Sequence, residues 1–429
     1  MNYCEVLDFM FNSLPMYQRI GQAAYKTGLD NSYALNDYFN HPHKHFKTIH
    51  IAGTNGKGSV AHSLASILQE AGYKTGLYTS PHLLDYRERI KVNGQMIPKD
   101  FVTDFINDNV RIISKLKPSF FEMSVALAFE YFRYCNVNIA VVETGMGGRL
   151  DSTNIINPIL TVITNIGFDH TQFLGNSLEK IAHEKAGIIK NKIPSVIGET
   201  QKETSDIFIE KAYEMVAPIY FADNYYNVTL TEAASDCGNY CVKTKSESYD
   251  LEFGLIGIYQ QKNLSTILKS VEILNRSDLI ITNENLRNGL KKIRENTGLR
   301  GRWEIIGHQP LIICDTGHNK DGLKYVINQL LQQKFKRLHI IIGFVNDKNI
   351  SELLTLLPKN AGYYFAQASI PRAMPSVSLK NIALEYHLHG NCFDDVITAF
   401  NAAKSVANKD DVIFIGGSSF VVGDLLSHM

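Results

Sequence analysis

The sequence has no excess charge of either sign, few cysteines and no long apolar run. Its 429 residues include 43 Lys plus Arg and 43 Asp plus Glu, a formal net charge of zero. Proteins that coat nucleic acid or an anionic membrane need a basic excess, so this balance argues against both functions. A local basic site for a small anion is still compatible with it.

The six cysteines are scattered, and only Cys237 and Cys241 lie close together. One C-x3-C pair is a weak zinc pattern, and isolated cysteines in a long chain are typical of reduced cytosolic proteins. No apolar stretch approaches the roughly 20 residues that span a bilayer. The first 20 residues predict an amphipathic helix and not a signal peptide, because no basic region precedes an apolar run. We therefore expect a cytoplasmic protein that binds neither membrane nor nucleic acid.

The length suggests two or three domains, at roughly 100–200 residues each. Continuous Val/Ile runs alternate with helical segments, the pattern of parallel strands covered on both faces. The strands predicted first along the chain are 47–53, 138–143, 159–166 and 195–198. The helices predicted among them are 59–71, 100–116, 123–134, 177–189 and 201–216.

The segment 224–256 alternates apolar and polar residues and predicts an antiparallel ribbon, with helices near 260–275 and 283–295 after it. Strands resume at 310–315, 337–344, 361–367 and 411–417. We predict an α/β protein with two domains. We expect residues 1–298 to form a larger domain with a mostly parallel P-loop sheet and the small ribbon, and residues 299–429 to form a smaller, Rossmann-like α/β domain.

A glycine-rich loop, IAGTNGKGSV, follows the first strong strand. Gly53, Gly56 and Gly58 allow close approach of the backbone to phosphate at a helix N-terminus. Lys57 supplies a mobile positive charge, and Ser59 a hydroxyl near a metal. The spacing G-x2-G-K-G-S differs from the common G-x4-G-K-[ST]. The alternative is a plain β-to-α turn with a solvated lysine, but three glycines around one lysine favour phosphate binding.

Further polar motifs follow the loop. Glu143 ends a buried strand, where a carboxylate beside a phosphate loop is placed to hold Mg²⁺. His170 follows the next strand, and Lys185 lies on a helix after Glu184. Each signal is weak alone, since a solvated carboxylate, a surface histidine and a solvated ion pair are common. Their order behind the phosphate loop makes them specific together.

These motifs and several others resemble the folylpolyglutamate synthase/dihydrofolate synthase family of the Mur-ligase superfamily. The resemblance spans essentially the whole chain. The motifs that carry it are, in order, GTNGKGS, TSPHL with RERIKVNG, FFEMSVALAFEYF, ETGMGGRLDSTN, IGFDHTQFLG, EKAGIIK, GRWE, DTGHN and GGSSFVVGDLL.

The resemblance implies an ATP site, a metal site and a catalytic set. The implied ATP-binding residues are Thr54, Asn55, Gly56, Lys57, Gly58, Ser59, Asn263, Arg302 and Asp315. The implied ligands of one or two Mg²⁺ ions are Ser80, Glu143, His170 and Lys185 as a carbamate. The implied catalytic residues are Lys57, Lys185 and His318. Arg302 would reach a phosphate and Asp315 the nucleoside sugar. The alternatives are that Arg302 is an exposed linker residue and that Asp315 is a turn former at a strand end.

The resemblance also implies a pterin or folate site. Its residues are Tyr25, Lys26, Thr27, Phe120, Phe121, Glu122, Leu150, Asp151 and Ser152. Simple core packing is the alternative for the two phenylalanines. The chain departs from the family's pattern at Tyr259, where histidine is common, and at Thr144 and Thr316, where valine and glycine are common.

The implied activity is ATP-dependent ligation of L-glutamate to dihydropteroate, and to the γ-carboxylate of reduced folates, through an acyl phosphate. These small molecules are the expected partners, in folate biosynthesis and one-carbon metabolism, and we expect a monomer. A first alternative is folylpolyglutamate synthase activity alone. A second is a cell-wall amino-acid ligase, disfavoured because only some 50 residues precede the loop. A third is a nucleotide-binding module without chemistry.

Overall fold

The computed structural model describes residues 1–15, 28–233, 237–346 and 350–429. The strands are β1 (Lys47–Ala52), β2 (Thr75–Tyr78), β3 (Ile90–Val92), β4 (Gln95–Met96), β5 (Ile139–Glu143), β6 (Leu160–Ile163), β7 (Ser195–Ile197), β8 (Ile219–Phe221), β9 (Asn227–Ala233), β10 (Gly238–Lys243), β11 (Ser248–Phe253), β12 (Glu304–His308), β13 (Leu311–Cys314), β14 (Leu338–Ile342), β15 (Gly362–Ala366), β16 (Gly390–Phe393) and β17 (Val412–Gly416). The helices are α1 (Tyr3–Ser13), α2 (Asp30–Tyr38), α3 (Lys57–Glu70), α4 (Lys99–Asp108), α5 (Val110–Leu116), α6 (Phe120–Tyr134), α7 (Thr171–Leu174), α8 (Leu178–Ala186), α9 (Ser205–Glu214), α10 (Gln260–Leu274), α11 (Asn283–Lys291), α12 (Ile293–Thr297), α13 (Lys320–Leu331), α14 (Ser351–Leu354), α15 (Ser376–Glu385), α16 (Val396–Val406) and α17 (Ser419–Leu426).

An eight-stranded sheet organises the N-terminal part, in the order β4-β3-β2-β5-β1-β6-β7-β8. Strands β2, β5, β1, β6, β7 and β8 run parallel, and β3 and β4 add an antiparallel edge. Helices cover both faces, so β1 and β5 are almost entirely buried. The continuous apolar runs of the sequence are the consequence of this two-sided burial.

Helix α3 joins β1 to the rest of the sheet, and its buried positions include Val60, Leu64, Ile67 and Leu68. These four residues form the apolar face that the sequence predicts. Because they pack into one core cluster with Ile49 and Ile51 of β1, the phosphate loop lies between two elements of the same core.

Two further sheets complete the fold. Strands β9, β10 and β11 form the predicted antiparallel ribbon, in the order β11-β10-β9. The C-terminal sheet has the order β12-β13-β17-β14-β15-β16, with only β12 antiparallel to its neighbour. The predicted mixed α/β fold with a ribbon and a second α/β sheet is confirmed. Among the described residues, no helix is long and apolar enough to cross a membrane.

The sequence missed several elements and merged others. The predicted helices 100–116 and 283–295 are each two helices, broken at Asn109 and at Lys292. Strand β2 has four residues, and its Gly76 lies against the Phe132 ring, where a Cβ atom would come within 3.0 Å. So short a strand with a glycine carries little periodicity. The domain boundary at 298–303 falls between α12 and β12 and stays a prediction.

Candidate functional site

The phosphate loop lies where the carboxyl ends of β1, β5 and β6 meet, the usual ligand-binding edge of such a sheet. Backbone and side-chain bonds tie it to the segment after β6. Thr54 N donates to the Asn165 carbonyl at 3.0 Å, and Asn55 N donates to Asn165 Oδ1 at 2.9 Å. The Thr54 hydroxyl exchanges hydrogen bonds with the Gly167 backbone, both at 3.0 Å. The predicted loop residues are therefore held as one unit.

The start of α10 packs against this loop. Gly56 has φ +87°, and a Cβ atom there would lie 2.2 Å from Asn263 Oδ1. Only glycine fits this conformation and this close approach. Gln260 donates from Nε2 to the Ser59 hydroxyl at 3.2 Å and accepts from Asn263 Nδ2 at 2.7 Å. Asn263 thus lies beside the loop, as the nucleotide assignment requires.

Two lysines converge on one carbonyl of the loop. Lys57 Nζ and Lys185 Nζ each donate to the Gly53 carbonyl at 2.9 Å. Lys185 is 3% exposed. Burial, and then the Lys57 charge, lower the pKa of Lys185 to about 7. Lys185 is therefore partly neutral near neutral pH, the form in which an amine is a nucleophile.

Glu143 ends β5 inside this cluster and is 4% exposed. Its Oε2 accepts a hydrogen bond from the Ser80 backbone N–H at 3.2 Å. Burial raises the pKa of Glu143 to about 7, although the charges of Lys57 and Arg302 oppose the rise. A buried carboxylate with one backbone donor is short of partners, which suits it to a bound cation.

The predicted metal ligands fit such a cation in part. Glu143 and the Ser80 segment are in contact, and Lys185 joins them through the phosphate loop. His170 has left-handed backbone geometry at the start of α7. No three His, Cys, Asp or Glu side chains of the described residues form a metal-binding group. Beside Glu143 and His170, the remaining ligands would therefore be Ser80, a modified Lys185, nucleotide oxygens or water.

The C-terminal part supplies an arm to the same edge of the sheet. Arg302 donates to the Thr316 hydroxyl, and its guanidinium NH2 lies 3.6 Å from the position that a Cβ atom on Gly58 would occupy. Glu143 Oε2 lies 3.8 Å from that position. Arg302 is therefore not an exposed linker residue; it faces the loop and the buried carboxylate together.

Two further contacts join the two parts of the chain. His318 Nε2 lies 3.2 Å from Asp169 Oδ2, while its Nδ1 lies 3.0 Å from the Thr316 carbonyl. Asn55 and Asn319 exchange side-chain hydrogen bonds at 2.9 and 3.2 Å. The phosphate loop and the DTGHN segment thus share a polar contact surface.

Asp315 lies behind this surface and is 2% exposed. It accepts hydrogen bonds from the Tyr259 hydroxyl, Trp303 N and Gly317 N, each at 2.7 Å. Its contact with the nucleoside sugar stays a prediction.

A cavity of about 650 Å³ opens beside the phosphate loop, between the two parts of the chain. Six of the predicted pterin-site residues line it: Phe120, Phe121, Glu122, Leu150, Asp151 and Ser152. Ser80, His170 and His318 line it as well. The remaining three, Tyr25, Lys26 and Thr27, lie outside the described residues.

Some of these lining residues also stabilise the fold. Phe120 is buried in the core, whereas Phe121 is half-buried and packs over Gly145. Glu122 forms a capping box with Ser119 at the start of α6. The Asp151 carboxylate accepts four hydrogen bonds, from Gly145 N, Met146 N and the backbone and hydroxyl of Thr153. It shapes the ETGMGG loop.

Sequence reasoning missed Arg89 as a site residue. It lines the cavity, is 3% exposed, lies over the Phe120 ring at 5.2 Å and donates to His82 Nδ1 at 2.7 Å. In YRERI it looks like part of a charged surface turn. No local signal separates it from the less buried Arg87 and Glu88 beside it, because its burial depends on the packing of α6.

Comparison with known proteins places the chain in a family. The Mur ligase middle domain matches residues 51–269, and the Mur ligase glutamate ligase domain matches residues 301–419. The dihydrofolate synthase/folylpolyglutamate synthase of Bacillus subtilis is 34% identical over 94% of this chain and 95% of its own length.

Two crystal structures are similar over the whole chain. Escherichia coli FolC in complex with DHPP and ADP has a TM-score of 0.85 and 27% identity, covering 100% of this chain and 97% of that one. The bifunctional folylpolyglutamate synthase/dihydrofolate synthase of Yersinia pestis, complexed with AMPPNP and Mn ion, has a TM-score of 0.82 and 27% identity, covering 100% and 98%. The chain belongs to the Mur ligase family and, within it, to the dihydrofolate synthase/folylpolyglutamate synthases, which are ATP-dependent amino-acid ligases.

Proposed function

We propose that this chain ligates L-glutamate to dihydropteroate and to the γ-carboxylate of reduced folates, with ATP as the energy source and Mg²⁺ as the cation. The observation that carries the proposal is one cleft with three components. A phosphate loop and a cation-seeking carboxylate at Glu143 adjoin a cavity of about 650 Å³ with an aromatic wall. Ser80, which lines the cavity, donates to Glu143, and Asn319, which also lines it, bonds to Asn55 of the loop. A nucleotide-binding module without chemistry has no need of the cavity or of the carboxylate.

The nucleotide's phosphates lie on residues Thr54 to Ser59 in this proposal. The backbone amides of the loop and the N-terminus of α3 attract the phosphates. Lys57 leaves its two carbonyl partners, Gly53 and Thr54, to meet the terminal phosphate. Arg302 approaches from the opposite side, near Gly58, so two cations flank the γ-phosphate. The relative from E. coli that binds ADP supports this assignment.

Glu143, the Ser80 segment and His170 would hold Mg²⁺, and the relative from Y. pestis with Mn and AMPPNP supports divalent metal use. When bound, the ion neutralises charge on the phosphate oxygens. Lys185 as a carbamate would face it. The partly neutral amine forms a bond from Nζ to the carbon of CO₂ and releases one proton, leaving an anionic oxygen ligand where an ammonium would repel the ion.

In the first chemical step, the acceptor's carboxylate oxygen attacks the γ-phosphorus and the bond to ADP breaks. Lys57 and Arg302 stabilise the charge that spreads over the transferring group. In the second step, the glutamate amine attacks the acyl carbon and phosphate leaves with its oxygen, while the amine loses a proton. His318, which faces the cavity beside Asp169, is placed to orient the reactants. The cleft aligns both steps without a covalent enzyme intermediate.

Pterin recognition belongs to the wall formed by Phe121, Glu122, Leu150, Asp151 and Ser152. The half-buried Phe121 ring offers an apolar face, and the Glu122 carboxylate offers an acceptor for the amino or ring N–H groups of a pterin. Asp151, whose two oxygens are filled by four protein donors, shapes the loop at the cavity wall. The relative that binds DHPP supports this use of the cavity. Residues 1–298 and 299–429 would act as the ATP-binding and glutamate ligase domains of a monomer.

The test is to supply dihydropteroate and tetrahydrofolate in turn as acceptor, with ATP, Mg²⁺ and L-glutamate, and to measure product by chromatography and mass. Both acceptors gain one glutamate if the proposal is right. Product from tetrahydrofolate alone would restrict the chain to folylpolyglutamate synthase activity. Product from neither acceptor would refute the proposal.

A further inference from the structure

Three protein donors hold the Asp315 carboxylate. Oδ2 accepts from both the Tyr259 hydroxyl and Trp303 N, and Oδ1 accepts from Gly317 N, each at 2.7 Å. A carboxylate has about four lone-pair sites, so these donors fill both sites of Oδ2 and one of Oδ1. One lone-pair site on Oδ1 has no protein donor among the described residues.

The Tyr259 donor differs from the other two. Trp303 N and Gly317 N are backbone amides whose direction the fold fixes, whereas the Tyr259 hydroxyl reaches Asp315 from a separate segment 56 residues earlier in the chain. The terminal torsion of an aspartate is broad. Without the hydroxyl, Oδ2 keeps one donor, and the carboxylate is freer to turn its oxygens.

Tyr259 also lies between two groups assigned to the nucleotide. It is the residue immediately before α10, whose Asn263 lies against Gly56 of the loop. Its ring packs with the C-terminal core. The backbone N–H of the preceding residue, Ile258, donates to Gln329 Oε1 at 2.6 Å. One side chain therefore joins the loop-facing helix to the strand end that carries Asp315.

We propose that Tyr259 is a positioning residue for the nucleotide: its hydroxyl fixes the Asp315 carboxylate so that Oδ1 meets a hydroxyl of the nucleoside sugar. The inference rests on the proposed function and on the predicted contact between Asp315 and that sugar. It goes further by assigning a part in sugar recognition in this chain to a tyrosine that acts through Asp315.

The test measures the Kd of ADP, 2′-deoxyADP and 3′-deoxyADP by calorimetry, with Mg²⁺ present, for the native protein and for Tyr259→Phe. Direct binding requires no turnover. The native protein is expected to bind ADP more tightly than at least one of the deoxy analogues. In Tyr259→Phe the affinity for ADP falls about tenfold, the size expected for a lost hydrogen bond to a charged group. The affinity of Tyr259→Phe for the deoxy analogue that the native protein binds more weakly stays nearly unchanged. The preference for ADP over that analogue therefore disappears.

Tyr363→Phe is the matched control. Its buried hydroxyl donates to the Pro358 carbonyl at 2.6 Å in the C-terminal core, so the same atom is removed away from the cleft. This variant keeps the native discrimination even if its melting temperature falls. Unchanged discrimination in Tyr259→Phe, or equal binding of all three nucleotides by the native protein, would overturn the inference. Loss of discrimination in a protein without ligase activity would support the inference and refute the proposed ligation instead.

Discussion

Glu143→Gln should stabilise the metal-free and nucleotide-free protein above neutral pH while removing its ligase activity. The carboxylate is buried, and Ser80 N is its hydrogen-bond donor. Burial raises its pKa from 4.5 to about 7. A shift of that size corresponds to about 3 kcal/mol once the group is fully ionised in the folded state. Glutamine keeps the shape and removes the buried charge.

The sign of the pH dependence follows from the direction of this shift. Because the folded-state pKa lies above the unfolded value, the folded protein binds the proton more tightly between pH 4.5 and 7. The destabilisation by Glu143 is therefore nearly absent below pH 4.5, grows between pH 4.5 and 7 and is complete above 7. Native protein and Glu143→Gln should melt nearly alike at pH 4.5 and differ most near pH 8.5.

Thermal melts in buffer with a chelator measure this difference. With roughly 2–4 °C per kcal/mol for a large domain, Glu143→Gln should melt about 6–12 °C above the native protein at pH 8.5. Glu214→Gln provides the control. Glu214 is exposed and paired with Lys211, and surface ion pairs contribute about 0–1 kcal/mol, so this variant should melt close to the native protein. A shift that is equal at both pH values, or a Glu143→Gln protein that is less stable at pH 8.5, would refute the reasoning.

Three other variants and conditions test the loop and its lysines. Lys57→Ala should abolish turnover and leave the circular dichroism spectrum unchanged, because the side chain donates, among the described residues, to two carbonyls of its own loop. Normal turnover would remove the phosphate assignment. CO₂-depleted buffer should lower activity and remove one CO₂ from the intact mass, with reactivation by bicarbonate faster as the pH rises through about 7, where Lys185 loses its proton; full activity with an unmodified Lys185 would exclude the carbamate. Gly56→Ala should weaken ADP binding and lower the melting temperature by several degrees, because its Cβ would meet Asn263 Oδ1 at 2.2 Å. Gly72→Ala, with φ +82° and open space around it, carries the backbone strain alone and should keep native ADP affinity.

The sequence predicted the elements whose residues carry one strong signal. Strands β1, β5 and β14 are continuous apolar runs because helices cover both faces of their sheets, and that pattern is visible without any structure. The short edge strands were missed because hydrogen bonds to neighbouring strands hold them in place, while their own residues carry little apolar pattern. Strand β16, GNCF, has no buried position and no alternation.

The sequence predicted the loops of the site but not the contacts between side chains that are far apart in the chain. The motif GTNGKGS is enough to predict a phosphate-binding loop, since its glycines and its lysine act within that short segment. The contacts of Asp169 with His318 and of Tyr259 with Asp315 join residues 149 and 56 positions apart. Only the packing of the two parts of the chain brings them together. The sequence identified Asp315 as a polar strand end; it could not indicate which donors would hold its two oxygens.

Release of ADP, followed in a coupled assay with ATP, dihydropteroate and L-glutamate, tests the ligase assignment most directly. The proposed acyl phosphate and amide steps predict ADP release that depends on both other substrates, with one ADP formed for each glutamate added. ATP turnover that continues at the same rate without dihydropteroate and glutamate would contradict that assignment.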